Sequence, residues 1–141
     1  MPTLNETFPV ADAAHVWGVI SDLNTLIPCV PGARVASSES AAAVKAEIAV
    51  RMGAMGMSFS GPVTIESADV ASQTVRIKAM TREAGGQSRA SGDVTISLRN
   101  GEGTINAVAL INGKAASMGE GTMLVVLTDL VKGFSRNVGN A

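Results

Sequence analysis

One change of period constrains this chain more than any other feature. From Val44 to Ile111 the apolar residues recur every second position. From Met123 to Val138 they recur every third or fourth. Side chains alternate across a strand and cluster on one stripe of a helix, so the first pattern predicts strands and the second a helix. Val44, Ala46, Ile48, Val50 and Met52 alternate with Lys45, Glu47, Ala49 and Arg51. Met57, Phe59, Val63 and Ile65 continue the pattern after a glycine-rich turn. Val75, Ile77 and Ala79 carry it further, and so do Ala90, Gly92, Val94, Ile96 and Leu98. Asn100-Gly101 predicts a tight hairpin, because both residue types tolerate positive φ. Ile105, Ala107, Ala109 and Ile111 form the strand beyond it.

The helical stripe comprises Met123, Leu127, Leu130, Phe134 and Val138, flanked by Leu124 and Val131, and predicts a helix over roughly Ser117 to Val138. Ahead of the strands, Thr3 to Val10 reads as another strand. Asp12 is placed to cap a short helix over Ala13 to Ser21, and Asp22 to Ile27 as a further helical turn. Pro28 and Pro31 end regular structure there. A sheet with one apolar face must cover it, and the terminal helix is the only element long enough. The expected fold is α+β: one domain over residues 1–141, an antiparallel sheet curved around a C-terminal helix.

The inner face of that sheet is expected to carry many small residues: Ala46, Ala79, Ala90, Gly92, Ala107 and Ala109. Interiors pack at crystal-like density, so this volume must be made up. Either the helix sits close to the sheet, or a cavity for an apolar ligand remains. Met52, Met55 and Met57 lie around Gly53 and Gly56. Methionine lines adaptable apolar surfaces, and a glycine-rich hairpin suits a gate; methionine also simply fills irregular cores.

Chemistry is sparse. Cys29 is the only cysteine, held in Ile27-Pro28-Cys29-Val30-Pro31-Gly32, and His15 is the only histidine. No spacing places a base beside the thiol. No metal-ligand spacing occurs either. Cys29 is therefore read as a small apolar plug, at the rim of the cavity if one is present. Most of the carboxylates, Glu6, Asp22, Glu83 and Asp93 among them, are read as caps, turns and polar faces, with a buried catalytic carboxylate as the alternative. A net charge of −1 with scattered basic residues argues against nucleic acid as partner. A single cysteine and no leader-like start point to a reducing compartment.

The residues also carry a resemblance. Val16, Trp17, Asp22 and the Cys-x-Pro-Gly of Cys29, Pro31 and Gly32 resemble the signature of the carbon monoxide dehydrogenase G-subunit family. Phe59 and Gly61 resemble its Phe-x-Gly strand. Gly113, Lys114 and Gly119 resemble its Gly-Lys…Gly entry to the last helix. That family falls in the START-like (SRPBCC) helix-grip superfamily. The resemblance implies a seven-stranded antiparallel sheet gripping the terminal helix over a hydrophobic cavity.

It also implies a non-catalytic role beside a molybdenum carbon monoxide dehydrogenase or related hydroxylase. The cavity would hold a respiratory quinone such as menaquinone, or another lipid, with no covalently bound cofactor. Localisation is expected to be cytoplasmic, peripheral at the inner face of the cytoplasmic membrane, through a tail that the chain, ending at Ala141, does not reach. The expected ligand-binding residues are Met52, Met57, Phe59, Ala79, Ala107, Ala109, Leu127, Val131 and Phe134; no catalytic or metal-binding residue is assigned. Two alternatives stand beside this: a ligand-free protein adaptor that recruits or matures the dehydrogenase, and a small cyclase or dehydratase.

Overall fold

A computed structural model describes residues 3–52 and 54–141, without the side chains of Met52, Met55 and Met118. Seven strands form one antiparallel sheet: β1 (Thr3–Pro9), β2 (Ala33–Ser40), β3 (Ala43–Met52), β4 (Met55–Asp69), β5 (Thr74–Glu83), β6 (Ser88–Arg99) and β7 (Glu102–Gly113). Their order across the sheet is β1-β7-β6-β5-β4-β3-β2. Successive strands are therefore neighbours throughout, except that β1 docks beside β7. Asn100 and Gly101 turn β6 into β7 with φ of 52° and 77°, the twist that a two-residue hairpin needs.

Between β1 and β2 lie two short helices, α1 (Ala13–Ile20) and α2 (Leu23–Leu26), and a 3-10 turn over Ile27–Cys29. Asp12 and Asp22 cap the helices, their carboxylates accepting from the amides of His15 and Asn24. After β7, a 3-10 turn over Lys114–Met118 leads into α3 (Glu120–Gly139). The helix thus starts three residues later than the periodicity predicts, because Gly113 and Gly119, both at positive φ, bracket a separate tight turn.

Strand β2 is not visible as alternation in the sequence. It is an edge strand, mostly exposed, with the run Ser-Ser-Glu-Ser at its far end. Without a second face to bury, nothing selects an apolar period there. Bulges between Val35 and Ser37 and between Ile65 and Ser67 increase the coil of the sheet.

The core divides in two. The larger part packs Phe8, Ile20, Leu23, Ile96, Ile105 and Val138 between the sheet, the short helices and the end of α3. Ile20, Leu23, Ile96 and Ile105 are wholly shielded from water; each such burial contributes about 1.5–3 kcal/mol. The smaller part joins Val50, Met57, Phe59 and Ala115 at the opposite end of the sheet.

Helix α3 follows this division. All its buried residues, Gly133, Phe134, Ser135 and Val138, lie in its second half. That half is fixed to the proline turn. Asn137 Nδ2 donates to the Cys29 carbonyl at 2.8 Å, and a Cβ on Gly133 would stand 2.6 Å from Pro31 Cγ. The turn itself needs Gly32, whose φ is +81° and whose missing Cβ would meet Ala49 O at 2.5 Å. The first half of α3 buries no residue fully; Leu124 and Val125 are exposed.

Candidate functional site

The small residues foreseen on the inner face do lie side by side. Ala79 of β5 is directly opposite Gly92 of β6, and Gly92 is opposite Ala109 of β7. Three adjacent strands thus present a row with almost no side-chain volume. Facing it are Leu127 and Leu130 of α3. This row and these two leucines wall both of two adjoining cavities, so they form a waist between an upper and a lower lobe.

The lower lobe holds about 220 Å³ and no polar surface reaches it. Its floor is the proline-turn end of the fold: Leu23, Leu26, Ile27 and Val30. Ala107, Val131 and Phe134 complete its sides. The upper lobe holds about 190 Å³ between Ile48, Val50, Phe59, Thr81, Ala90 and Val126. Each lobe has room for a ring; about 150 Å³ suffices for benzene in an apolar cavity. Packing around the waist is therefore not closed by the helix, and of the two solutions to the small-residue face the cavity is the one present.

Most of the expected lining residues meet there. Phe59 walls the upper lobe, Ala107, Val131 and Phe134 the lower one, and Ala79, Ala109 and Leu127 both. Met57 does not line either lobe; it is buried against Val50, Phe59 and Ala115. Met52's side chain and Gly53 lie outside the described residues, and with them the expected glycine-rich gate. Sequence reasoning missed Leu26, Ile27 and Val30, because a short helical turn and a proline turn carry no period that marks an inward face. It also missed Ile48, Val50 and Leu130, although strand parity and the helical stripe already placed them on the inward faces.

Beside the upper lobe runs a surface groove bounded by Leu110, Ala116, Glu120, Met123 and Leu124, sharing Ala109, Ile111 and Leu127 with the lobe. Among the described residues β1 pairs with β7 from Glu102 to Val108. Beyond Val108 no described strand flanks that edge of β7, and only the loosely packed first half of α3 stands beside it.

The candidate nucleophile is absent from this site. Cys29 is 8% exposed, and its Sγ points to Thr25 O at 3.6 Å. Burial pushes its thiol pKa up, opposite to what an activated cysteine needs. Its neighbours Ile27 and Val30, not Cys29, wall the cavity, which corrects the expected rim position. His15 is exposed, with Nε2 2.9 Å from the Ala141 carbonyl, and so gives the thiol no base. Among the described residues no three His, Cys, Asp or Glu side chains gather as metal ligands. Glu83 departs from the reading of carboxylates as surface groups. It occupies an inward position of β5, and its Oε2 is buried without a hydrogen-bond partner among the described residues.

No described helix is long and apolar enough to cross a membrane. The family model for CoxG, the G-subunit of carbon monoxide dehydrogenase, matches residues 7–141. No curated protein matches the sequence. Solved structures share the fold at low identity. A conserved protein from Geobacillus kaustophilus aligns with TM-score 0.75 at 15% identity, over 96% of this chain and 90% of that one. An aromatase/cyclase from a Streptomyces species aligns with TM-score 0.62 at 14% identity, over 99% and 92%. Major latex-like protein 151 from Panax ginseng gives 0.60 at 10% identity, over 99% and 95%. These likenesses establish the START-like, helix-grip fold and nothing about activity.

Proposed function

The chain belongs to the CoxG family of carbon monoxide dehydrogenase subunits, and on that premise we propose that it is a non-catalytic accessory protein of a molybdenum carbon monoxide dehydrogenase, carrying a respiratory quinone such as menaquinone between the enzyme and the membrane. One observation carries this reading: the two-lobed cavity under α3, whose lower lobe presents no polar surface. A site without polar surface selects its ligand by apolar burial, at roughly 25 cal/mol per Å² before the costs of ordering. A ring system with an apolar tail suits two lobes joined at a waist. The groove beside the far end of β7 shares Ala109, Ile111 and Leu127 with the upper lobe and offers such a tail a way in and out.

The alternatives draw less support. A ligand-free adaptor needs no cavity, and its core would close over the small-residue row. A cyclase or dehydratase needs polar groups converging on a bound substrate, which the lower lobe lacks. The aromatase/cyclase among the structural relatives shares the fold at an identity too low to carry its chemistry.

Organic extraction and native mass spectrometry of purified protein test the reading. The expected result is a co-purifying lipophile, or uptake of one added menaquinone per chain. Protein that carries no lipid and takes up no quinone refutes it.

A further inference from the structure

The first half of α3 is built unlike the second. From Gly121 to Thr128 it carries no charged residue, yet none of its side chains is fully buried. Leu124 and Val125 are 45% and 62% exposed. Leu110 of β7 is exposed as well and bounds the same groove as Leu124. A single aliphatic side chain at the surface needs no explanation; a group of them points to an interaction site. This group stands beside a groove that shares Ala109, Ile111 and Leu127 with the upper lobe.

The charges at this end of the fold complement that patch. Arg82 of β5 and Arg89 of β6 are directly opposite one another, and both are exposed. Like charges so placed repel. Among the described residues neither has a carboxylate within ion-pair distance; the pair formed is Arg34 with Glu47. Asn112 of β7 stands opposite Arg89, and exposed Lys114 follows where that strand ends. With Arg51 near the end of β3, this end carries four basic residues, against Glu120 and the inward-placed Glu83. The whole chain has a net charge of −1, so this end is basic and the remainder acidic. Adjacent guanidinium groups without a partner suit phosphate oxygens.

We propose that this end docks on an anionic lipid surface, Leu110, Leu124 and Val125 entering the interface while Arg82, Arg89 and Lys114 meet lipid phosphates. Aliphatic side chains beside basic ones are the pattern of an interfacial membrane contact. A protein partner is the weaker fit, because protein hot spots favour aromatic anchors and Phe59, the aromatic residue of this end, is buried. The proposal rests on the carrier reading and adds to it the face that meets the bilayer: a lipophile passes along the groove into the upper lobe without crossing water.

Flotation with vesicles tests this, using phosphatidylcholine alone or mixed with phosphatidylglycerol. The wild type is expected to float with the mixed vesicles, less at high salt, and poorly with phosphatidylcholine alone. Arg82→Gln with Arg89→Gln should weaken that binding roughly tenfold or more, with an unchanged or higher melting temperature. Arg76→Gln with Arg99→Gln removes the same charge toward the other end of β5 and β6 and should leave binding nearly intact. Leu124→Asp with Val125→Asp should abolish it. No flotation by the wild type, or equal losses from both arginine pairs, overturns the docking face. Flotation that survives the aspartates does so too, and assigns the apolar patch to another surface such as a protein. Quinone uptake is measured separately by native mass spectrometry. Protein that takes up quinone but never floats overturns docking alone; protein that floats but takes up no quinone overturns the carrier reading alone.

Discussion

At the scale of single residues, Cys29 and its neighbours separate reactivity from architecture. Cys29 is buried, hydrogen-bonded to a main-chain carbonyl at long range, and burial raises its thiol pKa. The thiol thus stays protonated in the folded state at pH values where the unfolded chain has begun to lose the proton. That contribution to stability is complete below the ordinary thiol range and is lost as pH rises through the elevated folded value. Cys29→Ala is expected to keep fold and ligand binding. It should also remove part of the alkaline destabilisation seen in urea titrations of the wild type, and native Cys29 should react slowly with iodoacetamide at neutral pH. Fast alkylation, or a variant that folds but no longer binds ligand, would contradict this account. What Cys29 supplies through its backbone matters more: its carbonyl holds Asn137, and Pro31 beside it packs where Gly133 leaves room.

At the scale of elements, strand register and helix packing together make the cavity. No single alanine or glycine creates space. Ala79, Gly92 and Ala109 do so because antiparallel pairing sets them in one row, and α3 buries residues fully only in its second half. Filling the row should therefore separate stability from binding. Ala79→Leu places added volume at the waist, where cavity volume left in a core costs about 24 cal/mol per Å³. The variant is expected to unfold at an equal or higher temperature while binding menaquinone at least tenfold more weakly, measured by quenching of Trp17 fluorescence. Unchanged quinone affinity would place the ligand elsewhere. The row was half legible in the sequence. Alternation gave the parity of each strand, so Ala79, Gly92 and Ala109 were known to face inward. The tight Asn100-Gly101 hairpin already sets Gly92 opposite Ala109, but the length of the β5–β6 turn, which sets Ala79 beside Gly92, is not something periodicity measures.

At the scale of the whole molecule, the fold behaves as two packed cores with a compliant space between them. The core around Ile20, Leu23 and Val138 walls the lower lobe through Leu23 and its neighbours; the core at Phe59 and Ala115 walls the upper one through Val50 and Phe59. A ligand that binds only the folded state stabilises it by mass action, by about 2.7 kcal/mol at a hundredfold excess over Kd. Calorimetric scans with rising menaquinone should then show the melting midpoint climbing by several degrees, with no plateau before saturation. A midpoint independent of quinone concentration would argue that the quinone does not enter the folded protein.

The sequence by itself determined the order and type of nearly every element, from the first strand to the terminal helix. It did so because a half-buried strand and a half-buried helix each impose a period on the residues they bury. It also determined that the chain has little catalytic vocabulary, with one cysteine, one histidine and no pairing between them. Only the tertiary structure decided the rest. Edge strand β2 buries no second face and so leaves no period to read. Ile27 and Val30 become cavity wall because the proline turn is pulled against α3. Glu83, one carboxylate among twelve acidic residues in the sequence, acquires its distinction only when β4 and β5 pair and a turn closes over it. Periodicity records which face a residue takes; it does not record what stands opposite, and function at this site depends on what stands opposite.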